Sequence, residues 1–446
     1  MERIGLMSEN SIEYINILVD IWNSGDCAVL IDWRIPYQIA IEMMQEASVK
    51  KCYIEKNVWN KFFEGKQDDI EFFPFEKKSN SAELLTDCIY DKFKENYSSD
   101  EAIVLYSSGT TGKAKGIILS HYAINTNADA IIDYMKPTNA DCIYIVKTLS
   151  HSSTITGELL VALKVHMKLV IAPTIVPPRF VLNNIMKFSV TIICVNPTLL
   201  TIYAEEYLRL RYVFLSLHTI YVSGSILSEK KYKFAHETFE NIKIYNVYGL
   251  SEAGPRVTAQ RKECCEGNSV GKPIKNVQIV IVDGFGDEVI FGDKGIIHIN
   301  TPSRFNSYVT GNKLPSLYKN WLNSGDIGYI DEREELHIVD RIDDVITINS
   351  HKIYPSEIES QIIKNTSIFE CAVVKLEFNG NEFIGCLYTD KNEFDIKKKD
   401  LNHVLMAHET PRFFIKCNFI PRTINGKISK KDAYKLLINS LKMEME

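Results

Sequence analysis

The chain has 446 residues, more than one compact core usually holds, so two or three domains are expected. Its apolar share of 45% suits a soluble globular protein, and a net charge of −6 argues against a nucleic-acid binder, whose footprint is basic. A membrane-spanning helix needs about 20 mostly apolar residues, and the most apolar long stretch, 155–173, is broken by Glu158, Lys164, His166 and Lys168.

The first residues show no apolar core or small-residue cleavage site of a signal peptide. The ten cysteines are scattered without C-x-x-C spacing, and adjacent Cys264 and Cys265 are poorly placed for a bridge. Reduced, buried thiols in a cytoplasmic protein are expected. Asn10 with Glu13 makes a capping-box pattern, and Ile12, Ile15, Leu18, Val19 and Trp22 follow at helical spacing until Gly25. Residues 27–32 read as a buried strand, Pro36 opens a helix reaching Met44, and 51–55 is another strand. This alternation predicts a parallel sheet with crossovers. Residues 57–98 are polar and show little pattern, with a loop at 77–81. Strands are then predicted at 102–106, 141–146, 169–172, 191–195, 219–222 and 243–247. From about 268 to 339, short alternating segments broken by glycines predict a small β-barrel, and after Asp340 the pattern is α+β. The expected fold is a large α/β N-terminal domain over 1–339, with parallel sheets, helices and the barrel-like part, followed by a small α+β C-terminal domain.

The strand at 102–106 runs into a loop made of Ser107, Ser108, Gly109, Thr110, Thr111, Gly112, Lys113, Ala114, Lys115 and Gly116. Its glycines permit tight turns that aim backbone N–H groups at an anion, while two threonine hydroxyls and two lysines add donors and positive charge. Such a loop suits a polyphosphate. It is not a Walker loop: only two residues separate Gly109 from Gly112, and alanine follows Lys113.

This loop resembles the Ser/Thr-Ser-Gly-Thr-Thr-Gly-x-Pro-Lys-Gly phosphate loop of the adenylate-forming superfamily, with Ala114 in place of proline. That superfamily includes acyl- and aryl-CoA synthetases, peptide-synthetase adenylation domains and firefly luciferase. Its other motifs follow in order over nearly the whole chain. Residues 246–252, with Val247, Tyr248, Gly249, Ser251 and Glu252, resemble the family's Asn-x-Tyr-Gly-x-Thr-Glu. The resemblance gives Tyr248 the adenine to stack on, Ser251 a contact with the α-phosphate and Glu252 the Mg²⁺ ion, roles that suit a flat ring, a hydroxyl and a hard carboxylate. Ser223, Gly224 and Ser225 resemble the segment lining the adenine. Asp326 matches the ribose-binding aspartate, and Arg341 a nucleotide-contacting arginine. Asp343 falls at a hinge spanning 340–343, ahead of a mobile C-terminal domain over 344–446. Lys427 matches the catalytic lysine of that domain. Thr347 and Ser350 depart from the lysine and glycine many relatives carry after the hinge.

The resemblance implies a ligase using ATP and Mg²⁺. A carboxylate attacks the α-phosphorus, pyrophosphate leaves, Lys427 and Lys115 assist, and the domain rotates to admit a thiol. Coenzyme A and the phosphopantetheine of a stand-alone acyl carrier protein present the same thiol arm, and both remain open. No carrier domain follows residue 446, so a diffusible acceptor is expected. The acid pocket is expected around His151, Ser152, Val247, Pro255 and Arg256. Amino-acid activators carry an aspartate where Ser152 stands, which disfavours an α-amino acid. His151 reads either as a gate residue or as a core histidine with a satisfied ring. Arg256 reads equally as a substrate-facing group or as half of a structural ion pair. Fatty, aryl and small hydroxy acids stay open. The alternative function, a non-catalytic nucleotide-binding sensor or scaffold, would be marked by loss of Lys427, Glu252 or Asp326, and all three are present.

Overall fold

The computed structural model describes the chain apart from residues 66–68, 108–113, 264–267, 312–315, 349–350, 379–380, 391–395, 397–399, 424–425 and 444–446. The first of two large sheets has seven strands, in the order Ser307–Tyr308, Lys115–Ser120, Glu101–Ser107, Cys27–Ile31, Arg3–Met7, Lys51–Glu55 and Glu71–Phe75. The last five of these run parallel, as the alternation of helix and strand predicts. A parallel sheet is covered on both faces, and Cys27–Ile31 is accordingly buried at every position. The second sheet orders its eight strands Lys272–Pro273, Arg256–Ala259, Lys243–Gly249, Thr219–Val222, Ile192–Val195, Cys142–Ile145, Lys168–Ile171 and Glu83–Leu84. Its stretch from Lys243–Gly249 to Lys168–Ile171 is again parallel. One apolar cluster joins the sheets, with Leu6, Leu30 and Leu105 on one side, Ile143, Ile145 and Cys194 on the other, and Ile124, Ile131 and Leu159 among them.

Several expectations change in detail. The helix Ile12–Asn23 is capped by Ser11, whose hydroxyl accepts from the Tyr14 N–H at 3.0 Å, not by Asn10. Asn10 is turned away to bridge Lys147 O and the Leu149 N–H, tying the end of the first strand to the second sheet. Within 268–339 the strands Gln278–Val282, Gly295–Asn300, Leu322–Ile330 and Leu336–Arg341 form an open antiparallel sheet among the described residues, not a closed barrel. Lys272–Pro273 and Ser307–Tyr308 leave it to extend the two large sheets. Alternating burial records a one-sided sheet but says nothing about closure. The patternless 57–98 region holds the strand Glu71–Phe75 and the short helix Asp87–Lys92.

Beyond Arg341 the chain forms a hairpin, Ile346–Ile348 with His351–Ile353, the helices Pro355–Asn365 and Lys430–Met443, and a three-stranded sheet. Two apolar clusters of this region's own residues hold it together, around Ile362 and Val373 and around Leu387 and Leu437. Cys27, Cys52, Cys142, Cys194, Cys371 and Cys386 are buried free thiols, whereas Cys88 is exposed; Cys264 and Cys265 lie outside the described residues. Among the described residues no helix is long and apolar enough to cross a membrane.

His121 opens the helix His121–Met135, stacked on Tyr97 at 4.5 Å with neither ring nitrogen hydrogen-bonded among the described residues. Burial pushes its pKa down to about 4. A helix N-terminus also disfavours a cation. The unfolded chain therefore binds this proton first, near the ordinary value of about 6.5, and the fold loses stability as pH falls from there towards the folded value. Denaturant titrations at pH 7 and pH 4 should show wild type losing about 3 kcal/mol more than His121→Phe over this interval. Parallel losses in the two proteins would contradict a neutral buried imidazole.

Candidate active site

The hairpin Glu101–Ser107 with Lys115–Ser120 brings the two ends of the phosphate loop together, with Ser107 paired to Lys115. Ser108, Gly109, Thr110, Thr111, Gly112 and Lys113 lie outside the described residues. Next in the chain, Gly116 is needed because a Cβ there would meet Val309 Cγ2 at 2.6 Å. That close approach brings in Tyr308, whose ring centroid is 5.6 Å from Lys115 Nζ and whose hydroxyl donates to Glu252 Oε1 at 2.9 Å.

Glu252 comes from the second sheet. The strand Lys243–Gly249 ends there and the chain doubles back as the antiparallel Arg256–Ala259. Gly249 makes the reversal possible: a Cβ would lie 2.0 Å from the Pro255 carbonyl oxygen. The Leu250 N–H donates to Pro255 O at 3.0 Å, closing the turn around the 3₁₀ segment Ser251–Ala253. Ser251 and Glu252 are thereby presented side by side. Ser251 Oγ shares a 2.9 Å hydrogen bond with buried Ser152 Oγ. Glu252 Oε2 has no protein partner among the described residues, so a hard cation fits here.

The neighbouring parallel strands Ile192–Val195 and Thr219–Val222 end at the same level, the second leading into Ser223, Gly224 and Ser225. Gly224 has φ +99°, a conformation that favours glycine. A crevice at the carboxyl ends of parallel strands is where open α/β sheets bind ligands. Tyr248 donates its hydroxyl to Asp326 Oδ2 at 2.5 Å, and Arg341 Nη1 stands 3.0 Å from Asp326 Oδ1. Asp326 is only 6% exposed, and burial raises its pKa while Arg341 and Tyr248 oppose the shift. Burial and the adjacent carboxyl hold the Tyr248 phenol far above its ordinary range, so it remains a donor.

Lys427 reaches this crevice from the far end of the chain. A tight turn holds it, with Thr423 N–H to Lys427 O at 2.8 Å and Gly426 N–H to Thr423 O at 2.9 Å. Arg422 anchors the turn, donating to Thr198 Oγ1 at 2.9 Å and to Glu370 at 2.6 Å. Glu370 also pairs with Lys231 at 2.7 Å, and Lys230 donates to Ile363 O in the helix Pro355–Asn365 and to carbonyls just after it, the shortest being Ile368 O at 2.8 Å. Lys427 is still reached by solvent, yet the surrounding protein lowers its pKa, with Asp326 and Glu252 pulling the other way. A carboxylate, a hydroxyl, an unspent carboxylate oxygen and an ammonium thus converge on one cleft.

The profile of AMP-binding enzymes matches residues 1–309. The chain belongs to the AMP-binding enzyme family. It is 26% identical over 355 residues to a 4-coumarate–CoA ligase of Pinus taeda, covering 75% of this chain. The chain spans 65% of that relative's length, just under two thirds. It is also 26% identical to the zwittermicin A synthase ZmaJ of Bacillus cereus, over 96% of this chain and 84% of that one. Its fold matches that of ATP-bound MatB from Rhodopseudomonas palustris with a TM-score of 0.83 at 19% identity, covering 98% and 88% of the two chains.

In this AMP-binding enzyme the expected residues Ser107, Lys115, Ser223, Tyr248, Ser251, Glu252, Asp326, Arg341 and Lys427 all surround the cleft or flank it. Val247 is buried in the core and backs the cleft instead of lining it openly. Asp343 is exposed in the 3₁₀ turn Ile342–Asp344, and Thr347 lies in the hairpin after it; Ser350 is outside the described residues. His151 makes no ring hydrogen bond among the described residues. Burial pushes its pKa down to about 4 against the opposing pull of Asp32, leaving a neutral imidazole. Arg256 is buried, with no ion-pair partner within 4.0 Å among the described residues, and its charge is felt by Glu158. Tyr308 was not foreseen; nothing in its local sequence marks it. Lys147 and Glu158 were also missed as a pair, although charges beside and within an apolar stretch are the kind of signal that marks buried polar groups.

Proposed function

We propose that this enzyme activates a carboxylic acid with ATP, releasing pyrophosphate, and passes the acyl group to a thiol. The observation that carries this reading is the position of Lys427 in a cleft shared with Asp326, Arg341 and Glu252. Both reactants are anions, so the protein's task is alignment and charge neutralisation. Asp326 accepts from the ribose, with Tyr248 and Arg341 holding its carboxylate in place. Glu252 would hold a magnesium ion, which supplies positive charge at the phosphates, while Tyr308 fixes the carboxylate that receives it. Lys427 bridges the attacking carboxylate and the α-phosphate. Ser251 donates beside it.

For thioester formation Lys427 must withdraw, because it occupies the approach to the acyl carbon. We take residues 344–446 as the moving body and Asp343, exposed between the two regions, as its hinge. Coenzyme A is the first acceptor to test, since the plant relatives are named as CoA ligases, with carrier-bound phosphopantetheine as the second arm. Ser152 is engaged with Ser251 and offers no carboxylate for an α-ammonium group, so acids lacking an α-amino group should be preferred.

The test is pyrophosphate release with a broad panel of acids, each alone and then with CoA or a phosphopantetheinylated carrier. Acid-dependent release followed by loss of free thiol is expected. A protein that binds ATP yet releases no pyrophosphate with any acid is not an adenylating enzyme, and best exchange with an ordinary amino acid would overturn the pocket reading.

A further inference from the structure

We propose that the acid activated here carries a second anionic group, a dicarboxylic acid being the simplest case, and that Arg256 binds it at the closed end of the pocket. This rests on the adenylation reading above. Arg256 is locked in place by its backbone: its N–H donates to Asn127 Oδ1 and its carbonyl accepts from Asn127 Nδ2, both at 2.9 Å. Its side chain is 3% exposed as part of the residue, yet among the described residues nothing accepts from the guanidinium and no carboxylate reaches ion-pair distance. Arginine cannot escape burial by shedding its proton. An enclosed guanidinium is normally paired, and a ligand anion would pair this one.

Glu158 does not supply it at ion-pair distance. Glu158, fully buried, is engaged by Lys147 at 3.0 Å. Burial raises the Glu158 pKa, Lys147 opposes that shift most strongly, and Arg256 does so less. Lys147 and Glu158 cancel, and one positive charge is left over. The Tyr134 hydroxyl, whose pKa Arg256 helps to restrain, is buried nearby without a hydrogen-bond partner. It is a second polar group ready for a ligand.

The position relative to the chemistry is set by one segment. Ser152 begins it, hydrogen-bonded to Ser251 at the reacting end. Five residues on is Gly157, where a Cβ would stand 3.2 Å from Arg256 Nη2. That interval is about 7 Å of helix axis. Glycine there lets Arg256 Nη2 lie close to this segment, and a planar guanidinium matches a carboxylate with two parallel hydrogen bonds. An acid whose reacting carboxylate lies beside Ser251 therefore extends its far end along this segment towards Arg256, with a short spacer between.

The experiment pairs short and medium α,ω-dicarboxylic acids and aromatic dicarboxylic acids with their half-amides, in ATP–pyrophosphate exchange and in thermal-shift binding without ATP. Wild type should favour the best dicarboxylic acid over its half-amide by about a hundredfold or more in kcat/KM, since the half-amide leaves the buried cation unpaired. Arg256→Leu should erase that preference, and Arg256→Lys should weaken it without reversing it. Half-amides or simple monocarboxylic acids matching the dicarboxylic acids in wild type would overturn the proposal and leave adenylation standing; this comparison decides the matter even where Arg256→Leu does not fold. Dicarboxylic acids that stabilise wild type but not Arg256→Leu, with no acid releasing pyrophosphate, would support the pocket and sink adenylation. Dicarboxylic acids that neither bind nor react would sink the proposal outright.

Discussion

Lys427→Ala is expected to slow acyl-AMP formation by about 10²- to 10³-fold, the usual cost of removing one preorganised charge-stabilising contact, about 2.7–4 kcal/mol. The same variant should still convert a chemically supplied acyl-AMP to thioester. The reason is geometric. Lys427 lies far along the chain from Glu252, and contacts made by Arg422, Lys230 and Lys231 help to hold its turn over the cleft. In the proposed mechanism its ammonium serves the step in which negative charge gathers between carboxylate and phosphate. It has no corresponding task once pyrophosphate has left. Single-turnover measurements of each step would separate the two. Equal losses in both would mean that the lysine supports a static site rather than one half-reaction.

Asp326→Ala should raise the ATP requirement by roughly 10- to 100-fold, as charged hydrogen bonds typically contribute about 1.5–3 kcal/mol each. The substitution removes an acceptor for the ribose hydroxyls and also strands two protein donors. Tyr248, half-buried and held protonated, loses its 2.5 Å partner, and Arg341 loses the carboxylate 3.0 Å away. Asp326→Asn should fall between, because an amide oxygen still accepts from Tyr248 but does not neutralise Arg341. Exchange kinetics against ATP concentration provide the readout, with thermal melting alongside. A variant that melts earlier while keeping its ATP dependence would mark Asp326 as structural only.

Much of this architecture follows from local pattern. The buried run at 27–31 and the helical spacing from Ile12 to Trp22 record how each segment buries one face, and those elements form where expected. Ser11 displaced Asn10 as the helix cap because a long-range partner, the backbone at 147–149, competes for the Asn10 side chain. The alternating segments after 268 marked strands correctly, but pairing partners are chosen by neighbours. Two of the short strands joined other sheets, and the rest stayed open.

The candidate site divides along the same line. Sequence alone determined that Gly249, Ser251 and Glu252 stand together, because they are bound into one tight reversal whose geometry is local. Their neighbours in the chain are also their neighbours in space. Only the tertiary structure decided that Tyr308 steadies Glu252, that Lys427 stands over the cleft, and that the Arg256 side chain is buried with no ion-pair partner among the described residues. Each of these depends on contacts between segments tens to hundreds of residues apart. Side-chain type limits what such a residue can do, but its charge balance is set by whichever groups packing brings beside it.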